Sequence, residues 1–184
     1  MKRFLDIFTS LVALTLLLPV FLLIVVVIYL SDPGPIFYRQ RRVGKGGKVF
    51  LILKFRSMIV DADKVGGYST QDNDPRITAI GCILRKTSLD ELPQLWNVLV
   101  GDMSLVGPRP DVPAQRETYT QSEWQKRHLV RPGITGLAQA TVRSSASAEE
   151  RKRLDLQYVD SRSLGEDIRI LVLTLKQIFA TGGN

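Results

Sequence analysis

Two adjacent carboxylates, Asp90 and Glu91, stand in the string SLDELPQLWNVLVGDMSLVGPRP at residues 88–110. Ser88 and Glu91 have capping-box spacing, which predicts that the pair opens a helix, and Gly101 is a natural C-terminal stop. Pro93 sits awkwardly inside that helix unless its first turn is irregular or the helix proper starts near Pro93. At a helix N-terminus the dipole favours an ionised carboxylate by about 0.3–1 kcal/mol. A charged Asp is a competent nucleophile toward phosphorus, and an adjacent Glu can hold the Mg²⁺ that a diphosphate carries. The same spacing also describes an ordinary capping box beside a solvated acid, so the pair alone does not choose.

Basic groups on stiff loops offer a partner for such chemistry. Arg109 lies in Gly107-Pro108-Arg109-Pro110, and Arg131 opens Arg131-Pro132-Gly133-Ile134-Thr135-Gly136. A rigid loop lowers the entropy lost when a guanidinium grips a phosphate with two parallel bonds. Structural turns explain the same prolines and glycines equally well. One cysteine and one histidine exclude a disulfide framework, a cysteine-ligated zinc site and a multi-histidine centre. Cys82 and His128 are expected to be packing residues, and Trp96 and Trp124 core or interfacial anchors.

The elements that must position these groups begin with a membrane segment. The 184-residue chain has a net charge of +7. Residues 1–60 hold nine cations and two anions, 9 − 2 = +7, while residues 61–184 hold sixteen of each. The basic excess therefore flanks one greasy run, the twenty uncharged residues 11–30. A straight helix of that length covers about 30 Å, a bilayer core. It is longer than a secretory signal's apolar region. Pro19 breaks the run, and a chain turning back there would leave arms of about 12 and 17 Å, too short to cross. Cations on both sides disfavour export of either flank. The physics of the run alone leans toward a spanning helix over a re-entrant one.

Asp32-Pro33-Gly34-Pro35 ends the segment as a rigid turn. Two alternating apolar runs around Gly44-Lys45-Gly46-Gly47-Lys48 then predict a β-hairpin. Its glycines lack Walker spacing, so they read as a turn and not a phosphate cradle. The basic residues here suit anionic lipid headgroups better than nucleic acid. Residues 66–76 read as a surface loop and residues 77–86 as a short helix. Ser147 and Glu150 cap a charged helix after residue 147. A last helix over residues 166–179 puts Ile168, Leu171, Val172, Leu175, Ile178 and Phe179 on one side, to pack on the core or, less often, to lie in a membrane interface.

The string at residues 88–110, preceded by KFRSM from Lys54 and followed by RPGITGLAQ from Arg131, closely resembles the bacterial sugar transferases known as small monotopic phosphoglycosyl transferases. The resemblance covers essentially the whole chain. It implies an α+β fold, mainly helical with a β-hairpin, in a monotopic membrane protein with a re-entrant helix broken at Pro19 and interfacial amphipathic helices. Residues 1–34 would be membrane-embedded and residues 35–184 a catalytic domain on the cytosolic face of the bacterial inner membrane. The implied activity transfers a sugar 1-phosphate from a UDP-sugar to a polyprenyl (undecaprenyl) phosphate, releasing UMP. Asp90 matches the family's nucleophile and Glu91 its neighbouring acid, with Mg²⁺ at the pair. Lys54, Arg85 and Arg109 match basic residues lining the site, and a phosphate or nucleotide role extends to Arg56, Arg131 and Arg143. The implied partners are the UDP-sugar, polyprenyl phosphate and membrane lipids, not nucleic acid; a homodimer is left open. Two positions depart from the pattern. Leu18 stands where members often have Ser before the proline, and Thr141-Val142-Arg143-Ser144 replaces Gly-Arg-Asn. Against this transferase stands a non-catalytic membrane-surface scaffold that binds anionic lipid or a partner through its basic hairpin.

Overall fold

The N-terminal segment forms two helices, α1 (Lys2–Leu16) and α2 (Leu18–Ser31), meeting at 61° across Leu17. These coordinates come from a computed structural model that describes residues 1–66, 74–142 and 147–181, without the side chains of residues 63–64 and 178–181. The break precedes Pro19, which sits in the first turn of α2, where its missing N–H is least needed. At 15 and 14 residues, the arms are about 22 and 21 Å long. No described helix alone is long and apolar enough to cross a bilayer; the bent pair together passes that test.

The polarity of α1 is inverted relative to a soluble helix. Asp6 and Ser10, one turn apart, are buried against the body, while Phe4, Phe8, Leu11 and Leu16 are exposed. Asp6 accepts from Ser104 Oγ at 2.9 Å and from the Leu105 N–H at 3.1 Å. Arg3 donates to the Val98 and Leu99 carbonyls at 2.6 and 3.0 Å. Polar side chains thus dock α1 on the protein and leave its apolar face free. On α2, Ile24 and Ile28 pack with Phe55 and Leu84.

The expected hairpin is present: β1 (Phe37–Val43) pairs antiparallel with β2 (Val49–Phe55). Phe50 and Ile52 face inward onto Val98 and Met103, and period-two alternation gives Lys54 the same face. A one-turn helix α3 (Ala62–Val65) follows. Much of the loop expected over residues 66–76 lies outside the described residues, but Asp74 and Arg76 form a buried ion pair at 2.7 Å. α4 (Ala79–Lys86) starts two residues later than expected, capped by Thr78 Oγ1 accepting from the Gly81 N–H at 3.0 Å.

Of the two openings that Pro93 left for this helix, the start near Pro93 is the one that forms, and no regular helix begins at Ser88. Ser88 takes a left-handed conformation (φ 57°), and residues Leu89–Glu91 make a 3₁₀ turn. The helix proper, α5 (Gln94–Val100), begins after Pro93 and stops at Gly101, whose φ of 100° favours glycine. Beyond it, β3 (Ser104–Val106) and β4 (Gly133–Thr135) form a short parallel pair that the sequence reading missed. Between them lies α6 (Gln121–Arg127). The glycines of the two loops serve this pair, because a Cβ on Gly133 would collide with the Gly107 amide nitrogen.

Three helices close the chain: α7 (Leu137–Thr141), α8 (Ala148–Ser161) and α9 (Leu164–Thr181). Ser147 caps α8 as expected, accepting from the Glu150 N–H at 3.1 Å. Leu137, Leu154, Tyr158 and Ile170 share a core with Val106. The stripe expected to pack on the core from α9 does so only in part: Leu171 packs against the core, Ile168, Val172 and Leu175 are exposed, and the side chains of Ile178 and Phe179 lie outside those described. The inner face of α9 carries Asp167 and Ile170, followed by Thr174 and Gln177, which bond to Thr135 and the Ala140 carbonyl. Cys82 is exposed, contrary to the packing role expected of it, whereas His128 is buried.

Candidate active site

Asp90 and Glu91 project from the 3₁₀ turn between α4 and α5. The turn is held by the Ser88 and Leu92 N–H groups donating to the Arg85 and Leu89 carbonyls at 3.1 and 3.2 Å. Leu89 and Leu92 seat it against the α2, α4 and Phe55 cluster. Asn97, on α5, joins this turn to the hairpin. Its side-chain amide accepts from the Leu53 N–H at 2.9 Å and donates to the Leu51 carbonyl at 2.8 Å, as a neighbouring strand would.

Lys54, at the end of β2, reaches the turn from the hairpin. Its Nζ lies 2.6 Å from Glu91 Oε1 and 3.9 Å from Asp90 Oδ2. Arg109 Nη2 shares the same Glu91 oxygen at 3.2 Å. No hydrogen bond from the described residues reaches Glu91 Oε2. Arg42 lines the same cleft, donating to the Pro110 carbonyl at 2.8 Å and to Gln40 Oε1 at 2.6 Å. The cleft between these groups encloses only about 10 Å³.

The two acids are driven in opposite directions. Burial pushes the Asp90 carboxyl above its ordinary value, and the Lys54 charge only partly offsets this. Burial acts upward on Glu91 too, but the charges and hydrogen bonds of Lys54 and Arg109 outweigh it and hold that carboxyl at about 2. Arg42 is held below the usual arginine value, first by burial and then by the like charge of Arg109. A buried, weakly paired carboxylate thus faces a concentration of positive charge, an arrangement suited to an anionic ligand. Burial and the neighbouring cations set the two acids apart.

Of the basic residues expected here, Lys54 and Arg109 meet the acids, and the charge of Arg85 also acts on Asp90. Arg56 does not. It is buried and grips the Asp32 carbonyl and, at 3.4 Å, the Asp32 carboxylate, strapping the exit of α2. Arg131 is directed to another hollow and donates its Nε–H to the Gly101 carbonyl at 2.8 Å. Arg143 lies outside the described residues. Arg42 and Asn97 went unremarked as site residues, because only hairpin register and the α5 start reveal where they point.

Among the described residues no group of three His, Cys, Asp or Glu side chains is placed to hold a metal ion. Asp90 and Glu91 are two neighbouring oxygen donors. This fits the mode in which Mg²⁺ takes one or two carboxylates and completes its shell with water and substrate phosphates.

Residues 1–181 match the family model described as bacterial sugar transferase. The chain is 45% identical over 183 residues to the UDP-glucose:undecaprenyl-phosphate glucose-1-phosphate transferase of Escherichia coli K12, covering 95% of this chain and 39% of that protein. It is 45% identical over 186 residues to the exopolysaccharide production protein PSS of Rhizobium leguminosarum bv. phaseoli, covering 95% and 93%. With the UDP-N-acetylgalactosamine-undecaprenyl-phosphate N-acetylgalactosaminephosphotransferase of Aeromonas hydrophila it shares 40% identity over 190 residues, covering 99% and 44%. The chain thus spans less than half of two of these relatives and nearly all of the third.

Proposed function

The chain belongs to the bacterial sugar transferase family, and from that premise we propose that it transfers a sugar 1-phosphate from a UDP-sugar to undecaprenyl phosphate, giving an undecaprenyl diphosphate sugar and UMP. The observation that carries this reading is the buried Asp90 carboxylate, 3.9 Å from Lys54 and next to Glu91, which lines a cleft with Lys54, Arg42 and Arg109. An Asp90 oxygen attacks the phosphorus that bears the sugar, the bond from that phosphorus to the UMP oxygen breaks, and an aspartyl phosphosugar remains. The acceptor's phosphate oxygen then attacks the same phosphorus, and the bond to Asp90 breaks.

The three cations neutralise charge on the transferring phosphoryl group, the main barrier to attack by an anion. Lys54 and Arg109 hold Glu91 Oε1 until the diphosphate offers them more negative charge. Arg109, 44% exposed at its side chain, stands at the solvent side of this pair. Glu91 and Asp90 would hold the Mg²⁺ carried by the donor, which supplies Lewis-acid polarisation of the phosphoryl oxygens.

The membrane part of the reading is supported by the outward apolar faces of α1 and α2 and by cations flanking both ends of the pair. Residues 1–34 re-enter the cytosolic leaflet of the inner membrane, with the break before Pro19, and residues 35–184 form the catalytic body at its surface. Trp96 and the Ile168, Val172 and Leu175 stripe of α9 are exposed and suit the interface. A UMP-release assay across a panel of UDP-sugars, with undecaprenyl phosphate as acceptor, tests the function. One donor should support turnover that Asp90→Asn abolishes; turnover retained in that variant, with no deamidation back to Asp, would remove the nucleophile.

A further inference from the structure

We propose that a hollow beside the start of α1 binds a phosphate group at a site separate from the carboxylate cleft. It encloses about 480 Å³ between the start of α1, β3, residues 129–131 and the corner joining α8 to α9. Ser104 and Val106 of β3 line it, whereas Ile134 of the paired strand lines the cleft near Glu91.

Its charge is unbalanced. Lys2, Arg3, Lys45, Arg131 and Arg162 line the hollow against two carboxylates, Asp6 and Asp167, 5 − 2 = +3. Both acids are already committed. Asp6 accepts from Ser104 and Leu105, and Asp167 accepts from Tyr158 Oη and Lys2 Nζ, both at 2.6 Å. Only Lys2 of the five cations is therefore matched by an acid among the described residues.

The remaining cations keep donors in hand. Arg131 is anchored through Nε to the Gly101 carbonyl, which leaves both terminal nitrogens without a partner among the described residues. Arg162 commits one terminal nitrogen to the Val159 carbonyl at 2.8 Å, and Lys45 Nζ has no described partner. A guanidinium fixed by one nitrogen presents its other two with little entropy left to lose, which favours bidentate capture of phosphate oxygens. Leu129 and Leu164, 58% and 37% exposed, form an apolar rim. That rim extends the chemistry from a bare phosphate to a phosphate carrying an apolar body, as in an anionic lipid headgroup.

The test is titration of the full chain in an uncharged detergent with inorganic phosphate and with dihexanoyl phosphatidic acid, read by calorimetry without turnover. A saturable component should persist in Lys54→Ala, which weakens the carboxylate cleft alone, and should weaken about tenfold or more when Lys45→Ala/Arg162→Ala, whose side chains are exposed, is added. Tighter binding of the lipid than of inorganic phosphate identifies a lipid headgroup as the source, and equal binding identifies a free phosphate group. No saturable binding, or a saturable component lost in Lys54→Ala or undiminished by the added pair, overturns the proposal. The readout needs no catalysis, so it stands or falls independently of the transferase reading.

Discussion

Asp90 and Glu91 are neighbours on one turn, yet Glu91 gathers the hydrogen bonds of Lys54 and Arg109 while Asp90, among the described residues, has only an ion pair with Lys54 at 3.9 Å. Glu91 is consequently ionised throughout the working range, and Asp90 is the group whose charge depends on pH. Asp90 must be ionised to attack, and burial raises its value, so activity should fall on acidification at a pH above the ordinary Asp range. Lys54 is the chief influence lowering that value. The pH dependence of UMP release in Lys54→Met should therefore show an acid limb displaced to higher pH; an unmoved or lower limb contradicts this account of the site's electrostatics. The residue types were legible from the sequence, but their inequality was not, because it arises from a lysine 36 positions upstream of Asp90 and an arginine 18 positions downstream of Glu91.

Among the elements, the hairpin was legible because alternation and a glycine turn are local signals, and so was the Ser147 cap of α8. The irregular turn carrying Asp90 was legible from Pro93 only as one of two alternatives, and its geometry was not. Its left-handed Ser88 depends on the seating of Leu89 and Leu92, which no capping-box spacing encodes. The β3 and β4 strands are three residues each, too short for alternation to register. Around them Arg127 acts as a clamp. It is buried between Asp111 and Asp155, and its Nη2 donates to the Arg109 carbonyl at 2.7 Å, fixing the loop that presents Arg109 to Glu91. Arg127→Met leaves two buried carboxylates without their cation and should lower stability by about 3–5 kcal/mol at neutral pH. Burial already raises both acids. Without Arg127 they rise further and take up protons readily, so the loss should shrink as pH falls. Thermal melting in detergent at pH 7 and pH 5 checks both the size and the narrowing.

For the whole molecule, charge counting located the basic collar and the apolar run, while the inversion of α1 became visible only from what Asp6, Ser10 and Arg3 touch. The apolar stripe of α9 was legible, but not that Ile168, Val172 and Leu175 of it face outward while Leu171 packs inward, since Ile170 and Thr174 supply an equally spaced inner face. If the chain re-enters, single cysteines near residues 2 and 40, introduced with Cys82 replaced by Ser, should label from the same side of a sealed vesicle. Labelling from opposite sides would establish a spanning pair. The central claim is that Asp90 carries the sugar phosphate between a soluble donor and a membrane acceptor, and it is tested most directly by incubating the full chain with its UDP-sugar in the absence of acceptor and mapping the adduct by mass spectrometry. The account predicts a phosphosugar mass increment on the peptide containing Asp90, localised to that residue, discharged by undecaprenyl phosphate and absent in Asp90→Asn. UMP release and lipid product without any such adduct, or an adduct on another side chain, would contradict it.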